Sequence, residues 1–326
     1  MTSEGFRPDR DLALEMVRVT EAAALAAGRW VGRGKKEAAD GAAVDAMRLM
    51  LDTVDMQGTV VIGEGEKDRA PMLFNGEAVG SGLGPEVDVA VDPVEGTTLV
   101  ALGQPNALAV MGVAAGGSMY SPGPAVYMDQ IVAAPETGDA VQLDASPEEN
   151  VEAVARARDC RPEEVTVMIL DRERHADRVV RLRQAGARVL VIPHGTVAAG
   201  VAAARLGTGV DIMMGIGGTP EAVILACALR CTGGRFQGRL WPRDGSERKA
   251  IIDAGLEPDQ LLGVDDLVSS EDVFFAATGI TDGPLLDGVR YDGAGATTHS
   301  VVMRGTSGTV RFITAEHSRT KLARFE

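Results

Sequence analysis

Asp92, Glu95, Gly96, Thr97 and Thr98 place two carboxylates, a glycine and two hydroxyls at the end of the apolar run 87–91. The run reads as a strand that ends at Pro93, whose fixed φ forces a turn. Asp92 and Glu95 then face one point at the strand's carboxyl end, where open α/β sheets place ligands. Residues 96–98 read as a helix start, whose free N–H groups suit a phosphate. Oxygen ligands of this kind are what a hard divalent cation such as Mg²⁺ takes, with waters of its own. Taken alone, the residues also suit a surface Asp-Pro turn with a capping threonine.

Two upstream segments weigh against that plainer reading. The strand pattern Thr59-Val60-Val61-Ile62 runs into Gly63-Glu64-Gly65-Glu66, where glycines admit close approach of a ligand to the backbone. Asp40 shares a helical face with Ala43, Val44, Met47, Leu51 and Val54. A carboxylate on such a face is costly unless paired or bound to a metal. Asp40, Glu64, Asp92 and Glu95 are therefore candidate ligands of a site holding more than one cation.

The elements that must position these groups follow from pattern. Helices are expected over 11–27 and 36–55, and strands over 107–115 and 125–134 that look adjacent. A turn-rich stretch at 136–150 suggests a boundary, giving halves 1–145 and 146–326. The second half alternates helix 148–158, strand 165–170, helix 175–185, strand 188–192, helix 197–206 and strand 210–214, the form of a parallel sheet covered by helices. The first two of those strands lead into Asp171-Arg172-Glu173-Arg174-His175 and Pro193-His194-Gly195-Thr196, loops on one sheet edge. Gly215-Ile216-Gly217-Gly218 reads as a loop, and Thr219-Pro220-Glu221 as a helix start capped by the threonine.

Composition bounds the function. The chain has 326 residues, 45% hydrophobic but only 4% aromatic, with 40 glycines, a formal charge of −15 and a pI near 4.8. Such acidity excludes nucleic acid and anionic membrane as expected partners, and an anionic substrate would need bound cations. Cys160, Cys227 and Cys231 have no pairing or zinc spacing and suit a reducing compartment. The polar N-terminus carries no targeting signal, so a cytoplasmic location is expected.

Asp-Pro-Val-Glu-Gly-Thr at 92–97, with Gly-Glu-Gly-Glu at 63–66, resembles the signature of the lithium-sensitive, metal-dependent sugar and inositol phosphatases. Further blocks are 39–44, 70–73, 104–110, 215–221 and 277–283. With them the chain resembles the class II fructose-1,6-bisphosphatase family over nearly its whole length. The resemblance implies an α/β (α+β) layered sugar-phosphatase fold, with alternating helix and sheet layers and two sheets. It implies Mg²⁺- or Mn²⁺-dependent hydrolysis, two or three ions per site, of the 1-phosphate of fructose 1,6-bisphosphate in gluconeogenesis. A homodimer or homotetramer is the implied assembly.

In that scheme Asp40, Glu64, Asp92 and Glu95 ligate metal and Glu221 closes the set against the reacting phosphate. Thr97 orients the attacking water, Asp40 or Glu64 takes its proton, and Gly96, Thr97 and Thr98 hold phosphoryl oxygens. Tyr127, Arg172 and Arg174 receive the distal phosphate. One departure stands out: the family's Asp-Gly-Asp sugar-binding loop is here His194-Gly195-Thr196. It opens the alternatives of sedoheptulose 1,7-bisphosphate or another modified phosphosugar, and, in a different class, of a non-catalytic phosphosugar-binding relative.

Overall fold

The computed structural model describes residues 12–65, 72–137 and 140–318; Glu66, Asp68, Ala70 and Pro71 lie outside them. In chain order the elements are α1 (Leu12–Gly28), α2 (Lys36–Leu51), β1 (Gln57–Ile62), β2 (Ala78–Val79), β3 (Glu86–Glu95), α3 (Thr97–Leu102), β4 (Leu108–Ala115) and β5 (Tyr127–Ala133). They continue with α4 (Pro147–Ala157), β6 (Thr166–Leu170), α5 (Ala176–Gln184), β7 (Arg188–Ile192), α6 (Thr196–Ala203), β8 (Ile212–Gly218) and α7 (Thr219–Thr232). The last are β9 (Arg235–Leu240), α8 (Gly245–Asp253), α9 (Val264–Leu267), β10 (Val273–Gly279), β11 (Arg290–Tyr291), β12 (Gly295–Arg304) and β13 (Thr309–Ser318).

Two mixed sheets result. The first runs β11-β12-β10-β4-β3-β1-β2, with β13 paired to β12; the second runs β7-β6-β8-β5-β9. Side chains alternate across each strand, so β3 sends Val87, Val89 and Val91 into a core with α1 and α2, while Ala90 faces α6 and α7. The far side of the second sheet packs Val151, Val154 and Leu182 of α4 and α5. The layers are thus α1/α2, first sheet, α6/α7, second sheet, α4/α5: the alternating α/β arrangement expected. The middle layer is tight. A Cβ on Gly112 of β4 would lie 2.5 Å from Cys227 Sγ, which shows how closely α7 crosses the first sheet. Cys227 and Cys231 are buried thiols in that packing and form no disulfide.

Four local expectations need correction. The strands near 107–115 and 125–134 are not neighbours: β4 lies between β3 and β10, and β5 lies in the second sheet between β8 and β9. Pro93 does not end its strand. β3 runs to Glu95 through a register shift between Asp92 and Glu95, and this bulge removes the missing proline N–H from the ladder. Gly215–Gly218 is the end of β8, paired with Tyr127–Gln130 of β5, rather than a loop. Thr219 is not a cap: its N–H donates to Val126 O at 2.9 Å, and extended Gly218 occupies the cap position. The strands 273–318 also return to the first sheet, so each sheet draws on both parts of the chain.

Candidate active site

The carboxylates arrive on separate elements. Asp40 stands in the second turn of α2, half-buried, on the side of Ala39 and Ala43. Glu64 follows β1, with its N–H donating to Leu73 O at 2.8 Å. Gly63 before it has no room for a side chain, since a Cβ would meet Leu73 O at 1.9 Å. Asp92 and Glu95 flank the β3 bulge, and the Val94 N–H donates to Asp92 Oδ1 at 3.0 Å. Gly96 adopts φ 90°, which starts α3 and brings Thr97 and Thr98 to the same place. Glu221 stands in the first turn of α7.

Asp40, Glu64, Asp92, Thr97, His194 and Glu221 line one cavity of about 540 Å³. The charges sense one another. Burial, then the charges of Glu95, Glu64 and Glu221, holds the Asp92 carboxyl well above the ordinary range. Burial and Asp40 push Glu64 up to about 7. Burial raises Glu95 to about 7 as well, against backbone N–H groups at 196 and 197 that favour its charged form. Asp40 is raised by burial, with Lys36 opposing.

Glu95 also ties the first sheet to α6. Its Oε1 accepts from the Val197 N–H at 3.0 Å, at the start of α6, and its buried Oε2 has no hydrogen-bond partner. That contact draws His194-Gly195-Thr196 against the acidic wall. Gly195 takes φ 101°, His194 lines the cavity, and Thr196 is buried with its methyl toward Gly217. Burial, then Arg172 and Lys36, lowers the His194 pKa, so its imidazole is neutral at pH 7.

A second cavity of about 330 Å³ shares Asp92, Gly96, His194 and Glu221 with the first and is otherwise lined by Tyr127, Arg172, Arg174, Gly195 and Thr196 among others. The Arg174 guanidinium lies 5.0 Å from the Tyr127 ring and 5.8 Å from the Trp241 ring, and its Nη2 donates to Ile216 O at 2.9 Å. Arg172 donates to Asp171 O at 2.7 Å. Tyr127 and Trp241 meet edge to face at 6.3 Å, with Arg243 5.7 Å from the tyrosine ring. Trp241 and Arg243 were not expected here. No local motif marks them, and only the β5–β9 pairing brings them to Tyr127.

The description "Bacterial fructose-1,6-bisphosphatase, glpX-encoded" fits residues 10–317 of the chain. The chain belongs to that family. It is 42% identical to a "D-fructose 1,6-bisphosphatase class 2/sedoheptulose 1,7-bisphosphatase" of Synechococcus sp. (strain JA-3-3Ab), covering 95% of this chain and 96% of that one. It is 43% identical to "Fructose-1,6-bisphosphatase 1 class 2" of Escherichia coli (strain K12), covering 94% and 95%. Members of the glpX-encoded bisphosphatase family are metal-dependent phosphatases.

The donor set of this bisphosphatase-family chain fits such a metal. It consists of oxygen ligands only, burial raises their proton affinities with neighbouring carboxylates adding to it at Glu64, Asp92 and Glu95, and a buried oxygen of Glu95 lacks a partner. Among the described residues no three His, Cys, Asp or Glu side chains form a ready-made metal shell. Cations of the Mg²⁺ kind keep waters of their own and take phosphate oxygens beside one or two carboxylates, so they do not require a shell closed by protein alone. Among the described residues no helix is long and apolar enough to cross a membrane.

Proposed function

We propose that this chain is a phosphoric monoester hydrolase that removes the 1-phosphate of a sugar bisphosphate in a divalent-cation-dependent reaction. Its substrate is fructose 1,6-bisphosphate, converted to fructose 6-phosphate and inorganic phosphate in gluconeogenesis. One observation carries the reading: the carboxylate-lined cavity and the one that holds Arg172 and Arg174 share Asp92, Gly96, His194, Pro220 and Glu221, so a bisphosphate can present one end to the carboxylates and the other to the arginines.

Asp40, Glu64, Asp92, Glu95 and Glu221 would hold two or three Mg²⁺ or Mn²⁺ ions. When bound, the cations supply Lewis-acid polarisation of the phosphoryl group and a lowered pKa for the attacking water. The chain's own groups do the rest. Thr97 accepts a hydrogen bond from the water and orients it; a hydroxyl is too weakly basic to take the proton, so Asp40 or Glu64 does. The N–H groups of Gly96, Thr97 and Thr98 hold the phosphoryl oxygens, and transfer goes directly to water.

Arg172 and Arg174 take the distal phosphate beside Tyr127, the planar guanidinium matching phosphate oxygens two at a time. On this reading residues 1–145 serve the cations and the reacting phosphate, while 146–326 serve the far end, with Glu221 and Tyr127 crossing over. A homodimer or homotetramer is the assembly that fits the family resemblance.

A second substrate, sedoheptulose 1,7-bisphosphate, is favoured by His194, a neutral group where the family resemblance expects an acid, and a relative's name carries both activities. Phosphate release from both bisphosphates and the matching monophosphates, with Mg²⁺ and with Mn²⁺, tests the proposal. Metal-dependent release from a bisphosphate is expected; release from monophosphates alone, or none, contradicts it.

A further inference from the structure

His175 lies at the point where the second sheet opens, next to Arg174 of the second cavity. β6 stays paired with β7 to its end, at Leu170 and Ile192. Its pairing with β8 on the other side reaches only Met168 and Met213. Beyond that rung β6 and β8 separate, and the buried imidazole fills the gap, its nitrogens 2.8 Å from Leu170 O and 2.9 Å from Ile216 N. The Ile216 N–H is a donor, so Nε2 accepts and Nδ1–H donates to Leu170 O. The ring thereby stands in for a missing ladder rung. β8 makes room for it at Gly215, which has φ 124° and where a Cβ would lie 3.0 Å from the ring.

Ile216 also holds Arg174, the residue just before His175. Its carbonyl accepts from Arg174 Nη2 at 2.9 Å while its N–H donates to His175. Ile216 is thus held at both its N–H and its carbonyl, and Arg174 is fixed between that carbonyl and the Tyr127 and Trp241 rings. Arg178 pairs with Asp129 at 2.8 and 2.9 Å, the residue opposite Ile216 on β5.

We propose that His175 is a positioning residue that sets the aim of Arg174 at the distal phosphate by bridging the carboxyl ends of β6 and β8. The inference rests on the bisphosphate reading of the Arg174 cavity. It adds that the height of the Arg174 fork is decided by a side chain that touches no substrate. A group held this way costs little ordering on binding. Without the bridge Arg174 must be ordered by substrate itself, a cost that falls on a ligand's distal phosphate and not on the scissile one.

His175→Phe keeps a ring and removes both hydrogen bonds; His175→Asn is long enough for Leu170 O alone; His175→Gln retains an acceptor and a donor near the original positions. For fructose 1,6-bisphosphate with saturating Mg²⁺, H175F and H175N are expected to raise KM roughly tenfold, the scale of one mis-aimed charge-assisted contact. Their kcat should stay within about twofold, since the reacting phosphate is held elsewhere. Fructose 1-phosphate, which lacks the distal group, should show unchanged KM, and H175Q should recover most of the bisphosphate KM.

An equal KM rise for both substrates, or a lower kcat at unchanged KM, overturns the proposal. A second readout does not depend on turnover. Trp30→Phe leaves Trp241 as the sole indole, whose emission should shift with H175F and return with H175Q. Unchanged emission overturns the positioning role. A wild-type protein that releases no phosphate overturns the functional reading, and the emission still decides the role of His175.

Discussion

At Glu64 and Glu95 the effect of gathering carboxylates shows as proton affinity, since burial and neighbouring charge push both up to about 7. The sign follows from linkage. A folded-state pKa above the unfolded one gives stability that is full below the unfolded value and is lost as pH rises through about 7. A divalent cation competes for the same oxygens, so its binding displaces those protons. At pH 7, Mn²⁺ binding should release roughly one proton, with affinity rising through neutrality and levelling above it. Calorimetry in two buffers of different ionisation heat measures this; no proton release and a flat affinity would contradict the assignment.

Asp92 is the most strongly coupled member, sensing Glu95, Glu64 and Glu221. Asp92→Asn keeps an acceptor for the Val94 N–H and removes the charge. We expect turnover to fall by about a hundredfold or more, with Tm nearly unchanged. Retention of more than a few per cent of activity would remove Asp92 from the cation site.

At the scale of elements, the site is made by strands continuing past residues that usually stop them. β3 absorbs Pro93 in a bulge, so Asp92 and Glu95 leave the same strand. β8 runs through Gly217 and Gly218 into α7, because those glycines pair with Met128 and Tyr127. A Cβ on Gly218 would lie 1.8 Å from Glu221 Oε2. Gly218→Ala should therefore turn the Glu221 carboxylate away and lower kcat at least about tenfold, while the flexible end of the side chain keeps the cost in stability near 1 kcal/mol. Steady-state kinetics beside a thermal melt separates the two, and an unaffected kcat would take Glu221 out of the reaction.

These junctions also mark where the sequence stopped being readable. Local pattern places α2, β6, β7 and α4 within a few residues, because each has its own periodicity, and a capping box at Ser146 and Glu149 starts α4. It misreads Pro93, Gly215–Gly218 and Thr219, because a neighbouring segment decides each of them: β4 for the first, β5 for the second and Val126, just before β5, for the third. Propensity yields to pairing at such places.

For the molecule as a whole, five alternating layers bring acidic oxygens from β1, β3 and α2 to face α6 and α7 across the first sheet. The layering was legible from the helix–strand alternation of the second half and from the resemblance. Which strands share a sheet was not: β4 and β5 follow one another in sequence yet join different sheets, and β10 to β13 return to the first. Partners that far apart leave no local trace, and Trp241 reaches Tyr127 by the same route. The His194 departure, in contrast, was visible as a residue change, and its neighbours Arg172 and Lys36 came only with the fold.

The central claim is that Asp40, Glu64, Asp92, Glu95 and Glu221 hold cations jointly, next to the reacting phosphate of a sugar bisphosphate whose distal phosphate Arg172 and Arg174 take. Anomalous diffraction from crystals grown with Mn²⁺ and phosphate tests it most directly. The account predicts two or three manganese peaks in the cavity between Asp40, Asp92 and Glu221, with a phosphate beside Thr97. Peaks confined to the surface, or to one carboxylate with the others turned away, would contradict it.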